Sequence, residues 1–150
     1  GAGGVLKVYQ ALVLGDWSKR CRHINAPLMK FEVAGGERIV KVHLEGKPSL
    51  TEFSILSRYQ GFTLVEARPV TGRTHQIRVH AQYAGHSLAG DEKYGDDAIN
   101  EALRNVGLRR LFLHASSLSF YLPDAKGLIQ VNAPLPPDLA GPLSKLESKN

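Results

Sequence analysis

Residues 69–80 read PVTGRTHQIRVH, and their types predict the local structure of this stretch. The polar pair at 71–72 indicates a tight turn, and a helical pattern starts directly after it. Thr74 is a good N-cap residue and Gly85 is a good stop, so we predict a helix over residues 74–84. The N-terminus of a helix carries free backbone N–H groups and the positive end of a dipole, which predicts an anion site at this turn.

The predicted helix carries two different stripes of side chains. An apolar stripe with the spacing of a core-facing helix surface contains Ile77, Ala81 and Ala84. A polar stripe contains His75, Arg78 and Gln82. A guanidinium held on a rigid helix can form paired hydrogen bonds with a carboxylate, so Arg78 is a candidate for a functional cleft. The alternative is an ordinary solvated helix face, because polar helix faces are common.

Strand-like segments lie on both sides of the predicted helix. Alternating or β-branched patterns that end at turn residues predict strands at 5–14, 38–44, 49–59, 62–67, 111–122 and 128–131. The strands at 49–59 and 62–67 join as a hairpin at 60–61, and those at 111–122 and 128–131 join at 124–127. The strand at 38–44 has one buried and one basic face. Further helices are predicted at 97–106 and 136–146. This order predicts an α+β domain over residues 1–150, with a mainly antiparallel sheet and a few flanking helices.

Composition and charge fit a globular protein with a basic surface. The 150 residues carry 19 Lys and Arg against 14 Asp and Glu, a net charge of +5 that permits a polyanionic partner without requiring one. No apolar run approaches the ~18 residues of a membrane span, and the opening residues 1–4 do not have the basic start of a secretory signal. The single Cys21 excludes an internal disulfide and fits a reducing cytoplasm. His75 and His80 have no second group of ligands at suitable spacing, so no metal site is predicted.

The string GRTHQIRVH at residues 72–80 resembles the signature of the RluA/RluC-type pseudouridine synthases. Further matches follow in the family's order over nearly the whole chain: KVYQALV at 7–13, APL at 26–28, EGKP at 45–48, GH at 85–86, GD at 90–91, RLFLHA at 110–115 and APLP at 133–136. The resemblance implies an isomerase that converts uridine in RNA to pseudouridine without a metal or organic cofactor. It points to large-subunit ribosomal RNA as the substrate, and to the C-terminal part of the catalytic domain.

The resemblance also assigns roles to individual residues. Tyr9 takes the place of a tyrosine that packs against the uracil and can abstract a proton; the alternative for Tyr9 is a core residue of a strand. Arg78 takes the place of an arginine that pairs with the catalytic aspartate and keeps it ionised. The implied RNA-binding and pocket residues are Gly72, Arg73, Thr74, His75, Gln76 and Ile77. Other candidate phosphate contacts, each equally consistent with an ordinary exposed charge, are Lys41, Lys93, Arg104, Arg109 and Arg110.

The chain departs from the family's pattern at one point. The family places its catalytic aspartate in a His-Arg-Leu-Asp-like motif before the tyrosine motif, and no aspartate of this chain has that context. We therefore expect these residues alone to be inactive, as part of a longer enzyme, as a truncated relative, or as a chain that another chain completes. The alternative function is a non-catalytic RNA-binding module. If the chain is this short, an uncovered sheet edge predicts a homo-oligomer.

Overall fold

A computed structural model describes residues 4–122 and 127–149 of the chain. Its strands are β1 (Leu6–Leu14), β2 (His23–Asn25), β3 (Leu28–Glu32), β4 (Arg38–Val42), β5 (Leu50–Tyr59), β6 (Phe62–Pro69), β7 (Leu113–Tyr121) and β8 (Leu128–Asn132). Its helices are α1 (Gln76–Tyr83), α2 (Asp97–Arg104) and α3 (Pro137–Ser144). Six strands form an antiparallel sheet in the order β2-β5-β6-β1-β7-β8, and β3 and β4 form a separate hairpin. The predicted α+β fold with a mainly antiparallel sheet is confirmed.

Strand β1 lies inside the sheet and contributes side chains to both of its faces. Successive side chains of a strand point to opposite sides, so β1 packs against two different cores. On one side Ala11 and Val13 belong to the same buried cluster as Ile77 of α1. On the other side Leu12 packs with Leu103 of α2 and Leu139 of α3. Helix α1 is therefore fixed against the sheet through its predicted apolar stripe.

The β3–β4 hairpin packs on a third, smaller cluster that joins it to α1. This cluster contains Leu28, Val40, Val79 and Tyr94. The predicted continuation of β4 to Leu44 is wrong, because the strand ends at Val42 and the Leu44 side chain is 96% exposed. Strands β2 and β3 were not predicted: the three residues of β2 give too short a pattern to separate from a loop, and no element was predicted at residues 28–32.

The predicted start of α1 is also wrong, whereas its end is confirmed. The helix begins at Gln76, and its N-cap is His75, whose side chain makes no capping hydrogen bond. Thr74 is exposed and lies outside the helix. Ala84 is the C-cap and Gly85 follows with φ 91°, a left-handed conformation that glycine adopts without strain.

The other predicted elements agree with the structure to within a few residues. The β5–β6 hairpin turns at 60–61, and β7 pairs with β8. Strand β7 begins at Leu113, α2 ends at Arg104 and α3 ends at Ser144, so each is shorter than predicted. The predicted turn at 124–127 lies outside the described residues except for Gly127. Within the part of the chain that the structure describes, every helix is too short to cross a membrane.

Candidate active site

A cleft of about 330 Å³ lies between the start of β1, the loop that precedes α1, and the segment that leads into β7. Its lining includes both predicted catalytic residues, Tyr9 and Arg78. It also includes five of the six predicted RNA-binding residues: Gly72, Arg73, His75, Gln76 and Ile77. The sixth, Thr74, lines a neighbouring groove instead. Residues that are far apart in the sequence therefore line one cleft.

Tyr9 lies on the face of β1 that carries α1, beside an irregularity in the sheet. Its neighbours across the two adjoining strands are Ala67 and Ala115, both small. The pairing of β1 with β7 shifts register between Val8 and Tyr9, and such bulges re-aim side chains next to functional sites. Tyr9 is half-buried and packs against the cluster around Ile77. Tyr9 is therefore both a core residue of β1 and a residue of the cleft, because part of its side chain packs and part lines the cleft.

Arg78 forms a paired hydrogen bond with a carboxylate that belongs to the chain itself. Its Nε donates to Oδ2 of Asp91 and its Nη2 donates to Oδ1, each at 2.8 Å. The Arg78 side chain is 18% exposed and the Asp91 side chain is fully buried. The guanidinium carbon also lies 5.0 Å from the centre of the Tyr94 ring, a cation–π distance. Among the described residues Nη1 of Arg78 has no hydrogen-bond partner, so this end of the guanidinium remains available to the cleft.

The Asp91 carboxylate is ionised and held from several sides. Its burial opposes ionisation, but the hydrogen bonds from Arg78 and from the backbone N–H of Tyr94 outweigh this effect and lower the pKa of Asp91. Its Oδ1 accepts backbone N–H groups of Lys93 and Tyr94, each at 3.0 Å. Hydrogen bonding to Asp91 in turn raises the pKa of Arg78. We infer that Asp91 orients the Arg78 guanidinium.

The turn that carries Asp91 requires glycine on both sides. A Cβ at Gly90 would collide with the carbonyl of Arg110, and a Cβ at Gly95 would collide with the carbonyl of Asp91. Asn100 closes the turn, since its amide donates to the Asp91 carbonyl at 3.0 Å and accepts the Gly90 N–H at 2.8 Å. Sequence reasoning places Asp91 in the Gly-Asp motif but does not pair it with Arg78, because nothing local in the sequence links the two.

Gln76 positions the loop before α1 and does not offer its side chain to a ligand. It is 4% exposed, and its amide nitrogen donates to the Leu50 carbonyl at 2.8 Å and to the Thr51 hydroxyl at 2.9 Å. Its amide oxygen accepts the Thr71 hydroxyl at 2.7 Å and the Arg73 N–H at 3.0 Å. These four hydrogen bonds indicate a structural role for Gln76, and its contact with RNA stays a prediction. The predicted anion site is weakened too, because the Gln76 N–H bonds to the Arg73 carbonyl at 3.2 Å.

Two basic residues line the cleft in addition to Arg78, namely Lys7 and Arg73. Arg73 donates from Nε to the Pro48 carbonyl at 3.0 Å, which fixes its side chain. Lys7, which sequence reasoning missed, lies two residues before Tyr9 on the same face of β1. The other candidate phosphate contacts do not line the cleft. Three of them form ion pairs elsewhere: Lys93 with Glu37, Arg104 with Glu92, and Arg110 with Asp138.

His80 is buried beneath the loop before α1 and is neutral. It is 0% exposed; Nε2 donates to the Ala26 carbonyl at 2.8 Å, and Nδ1 lies 2.8 Å from the Thr51 hydroxyl. Burial lowers the pKa of His80, and the hydrogen bond to Ala26 only partly offsets this. Across the residues that the structure describes, no three His, Cys, Asp or Glu side chains are grouped as metal ligands.

We expect the free energy of unfolding to fall as the pH is lowered through 6.5, the ordinary histidine pKa. Below that value the unfolded chain binds a proton that folded His80 resists, so protonation favours unfolding. Urea unfolding at pH values above and below 6.5 measures this dependence. A His80→Gln variant should show a shallower dependence, because the buried imidazole that resists protonation is gone. An unchanged slope in that variant would contradict the prediction.

Comparisons with known proteins indicate the family to which the chain belongs. The family model described as RNA pseudouridylate synthase matches residues 2–83. The chain is 52% identical over 149 residues to ribosomal large subunit pseudouridine synthase C of Pasteurella multocida, covering 97% of this chain and 46% of that protein. The corresponding Escherichia coli protein is 48% identical over 147 residues, with 97% and 46% covered. The chain thus spans about half the length of these curated relatives.

Solved structures show the same fold. Human RNA pseudouridylate synthase domain containing 1 superposes with a TM-score of 0.71 at 29% identity, covering 97% of this chain and 60% of that one. Human RNA pseudouridylate synthase domain containing 4 gives a TM-score of 0.69 at 24% identity, with 97% and 64% covered, which supports the fold alone. The matched family model covers more than half of the chain. It includes Tyr9, Arg78 and the loop before α1, all of which line the cleft. This chain therefore belongs to the RNA pseudouridylate synthase family.

Proposed function

We propose that this chain forms part of the active site of a pseudouridine synthase that acts on large-subunit ribosomal RNA in the cytoplasm. The observation that carries the proposal is the cleft in which Tyr9 and Arg78 meet. The similarity to the Pasteurella multocida protein supports ribosomal RNA as the substrate. Since the chain spans 46% of that protein, we take residues 1–150 to be one partial catalytic domain.

The proposed reaction is an isomerisation of a uridine that has left its stack. The bond between N1 of the uracil and C1′ of the ribose breaks, the base turns, and a bond forms between C5 and C1′. The proton on C5 leaves and N1 gains one, so atoms and charge balance. Tyr9 holds the base against its ring and, in its phenolate form, accepts the C5 proton. The phenol then releases this proton to solvent, which balances the proton that N1 takes up. Nη1 of Arg78 faces the carboxylate that starts the reaction, while Asp91 holds the rest of the guanidinium.

We propose that this carboxylate comes from outside the described residues. No Asp or Glu of residues 4–122 and 127–149 lines the cleft. Asp91 is not a candidate, because its carboxylate is fully buried and already accepts hydrogen bonds from Arg78 and two backbone N–H groups. The His-Arg-Leu-Asp-like context that carries this carboxylate in the family is also missing from the sequence. We therefore expect the chain alone to be inactive, because a nucleophile cannot be replaced by its supporting residues.

RNA binding by the isolated chain tests whether the chain binds RNA, which the proposed function requires. We expect a short oligouridylate to bind with a Kd that rises with salt, because lysine and arginine contacts to phosphate release counterions. Arg73→Ala should weaken binding. It should also lower, by about 1, the magnitude of the slope of log Kd against the logarithm of the salt concentration. Arg20→Ala, which removes an exposed arginine that does not line the cleft, is the control and should change neither. Fluorescence anisotropy over a salt series measures both, and a wild-type chain that does not bind would contradict the proposal.

A non-catalytic RNA-binding module is the second candidate function. It is favoured by the cleft's lining, which contains no carboxylate among the described residues. The two candidates differ in one measurable respect, since a binding module would hold RNA but support no turnover when joined to the rest of a catalytic domain.

We also propose that the isolated chain self-associates through the edge of its sheet. All five residues of β8 are exposed, and the apolar side chains of Leu128 and Val131 are 51% and 54% exposed. An exposed apolar edge strand is a template for pairing with a second copy. We expect light scattering to show dimers or larger species, and Val131→Lys to shift them towards monomer. A monomer at high concentration in the wild-type chain would contradict this.

A further inference from the structure

His75 has an unusual backbone conformation beside the cleft. It is the one non-glycine residue with a positive φ, 55°, in the part of the chain that the structure describes. Such residues cost free energy, and they persist where the surrounding structure holds them, often at functional sites. The ring of His75 packs edge-on to Tyr94, with centroids 5.4 Å apart, and His75 lines the cleft with Tyr9 and Arg78.

Tyr94 determines which ring nitrogen of His75 carries the proton. The Tyr94 hydroxyl accepts the Val40 N–H at 3.0 Å and lies 2.8 Å from Nδ1 of His75. Tyr94 is 4% exposed, so its own hydroxyl proton needs a protein acceptor, and Nδ1 of His75 is the group within reach. Nδ1 then accepts, and in a neutral imidazole the proton resides on Nε2. Nε2 has no hydrogen-bond partner among the described residues.

The charges around His75 also favour the neutral ring. Burial lowers the pKa of His75, and the nearby cations Arg78, Lys93 and Lys30 lower it further, whereas Asp91 opposes them. Arg78 lies one helical turn further along α1. A protonated His75 would be a second cation beside it and would compete with Arg78 for the same incoming carboxylate. A neutral donor at His75 can therefore contact the substrate without disturbing the pairing of Arg78.

We propose that His75 is an RNA-contacting residue whose Nδ1 is held by Tyr94 and whose Nε2–H donates a hydrogen bond to an oxygen of RNA in the cleft. The inference rests on the proposed function, because it requires RNA at this site. The acceptor is a phosphate oxygen or a uracil carbonyl oxygen, since both accept from a neutral N–H group.

Binding of two oligomers to the isolated chain and its variants tests the proposal. His75→Asn tolerates the left-handed backbone and keeps an acceptor near Nδ1, but places no donor at the position of Nε2. We expect it to bind a short oligouridylate about 3- to 12-fold more weakly than the wild-type chain, the effect of one hydrogen bond. His23→Asn, the same change at an exposed histidine of β2 that does not line the cleft, should bind like the wild-type chain. If His75→Asn does not fold, His75→Gly takes its place.

The second oligomer is an abasic ribose–phosphate chain of the same length. An equal loss on both oligomers identifies a phosphate acceptor, and a loss on oligouridylate alone identifies a uracil carbonyl. Nitrogen NMR of the His75 ring should show the proton on Nε2 in the wild-type chain and a mixture of tautomers in Tyr94→Phe. Wild-type affinity of His75→Asn for both oligomers, or a proton on Nδ1, would overturn the inference. A wild-type chain that binds neither oligomer would instead refute the proposed function, and the inference with it.

Discussion

Replacing Asp91 with alanine should lower the free energy of unfolding by about 3–5 kcal/mol, the cost of removing one partner from a buried ion pair. The substitution leaves the Arg78 guanidinium, which is 18% exposed, without the carboxylate that compensates its charge. It also leaves the backbone N–H groups of Lys93 and Tyr94 without their acceptor. Urea unfolding at neutral pH, followed by circular dichroism, measures the loss.

Two variants control this experiment. Asp138→Ala breaks the pair with Arg110, in which both side chains are substantially exposed, and should change the free energy of unfolding little. Asp91→Asn keeps the shape and one acceptor oxygen but not the charge, so its loss should be intermediate. Equal small losses in Asp91→Ala and Asp138→Ala would show that the Arg78–Asp91 pair does not support the fold.

Replacing Tyr9 with phenylalanine should reduce turnover by about 10²- to 10⁴-fold while RNA affinity stays near that of the wild type, because a general base is lost and the ring is kept. The measurement uses a hybrid enzyme in which this chain replaces the matched portion of the Pasteurella multocida relative. Tyr9→Ala removes the ring as well, so it should also weaken RNA binding by about 1–3 kcal/mol, the worth of stacking one base. Separate measurements of kcat and Kd distinguish the two variants.

Tyr83→Phe is the matched control for Tyr9. It removes the hydroxyl of a tyrosine that is 62% exposed at the end of α1 and that does not line the cleft. We expect it to keep the turnover and affinity of the unmodified hybrid. Near-normal kcat in Tyr9→Phe would contradict the proton-accepting role and would assign that step to another group.

Elements that rest on local signals could be predicted from the sequence. The β5–β6 hairpin follows from two β-rich runs around Gln60 and Gly61, and Gly85 ends α1 as its residue type predicts. The apolar stripe of α1 also packs where the periodicity places it. In each case the information lies within a few residues of the chain.

The start of α1 could not be predicted from local signals, because residues that are distant in the sequence determine it. Thr74 has the right chemistry for an N-cap, but the four hydrogen bonds of the Gln76 amide tie the preceding loop to β5. Three of these bonds go to Leu50, Thr51 and Thr71, which no capping rule considers. The helix therefore starts two residues later, and His75 takes a left-handed conformation.

The sequence indicates candidate site residues but not the contacts that hold them in place. Tyr9 and Arg78 line one cleft, and the polar stripe also contacts the turn around Asp91, although Gln82 is exposed. Tyr94 contacts all three members of that stripe: His75, Arg78 and Gln82. A pairing of this kind depends on how the turn closes in three dimensions, through Gly90 and Gly95, and a single sequence does not specify it.

The most direct test is the release of tritium from large-subunit ribosomal RNA that carries the label on C5 of uridine, because a new bond at C5 expels that hydrogen. The hybrid enzyme should release tritium, and both Arg78→Ala and Arg78→Lys should lose most of the activity, since lysine cannot form the paired hydrogen bonds of arginine. The isolated chain should release none. A folded hybrid that binds RNA without releasing tritium, or an Arg78→Ala hybrid with full activity, would contradict the assignment of this cleft as a pseudouridine synthase active site.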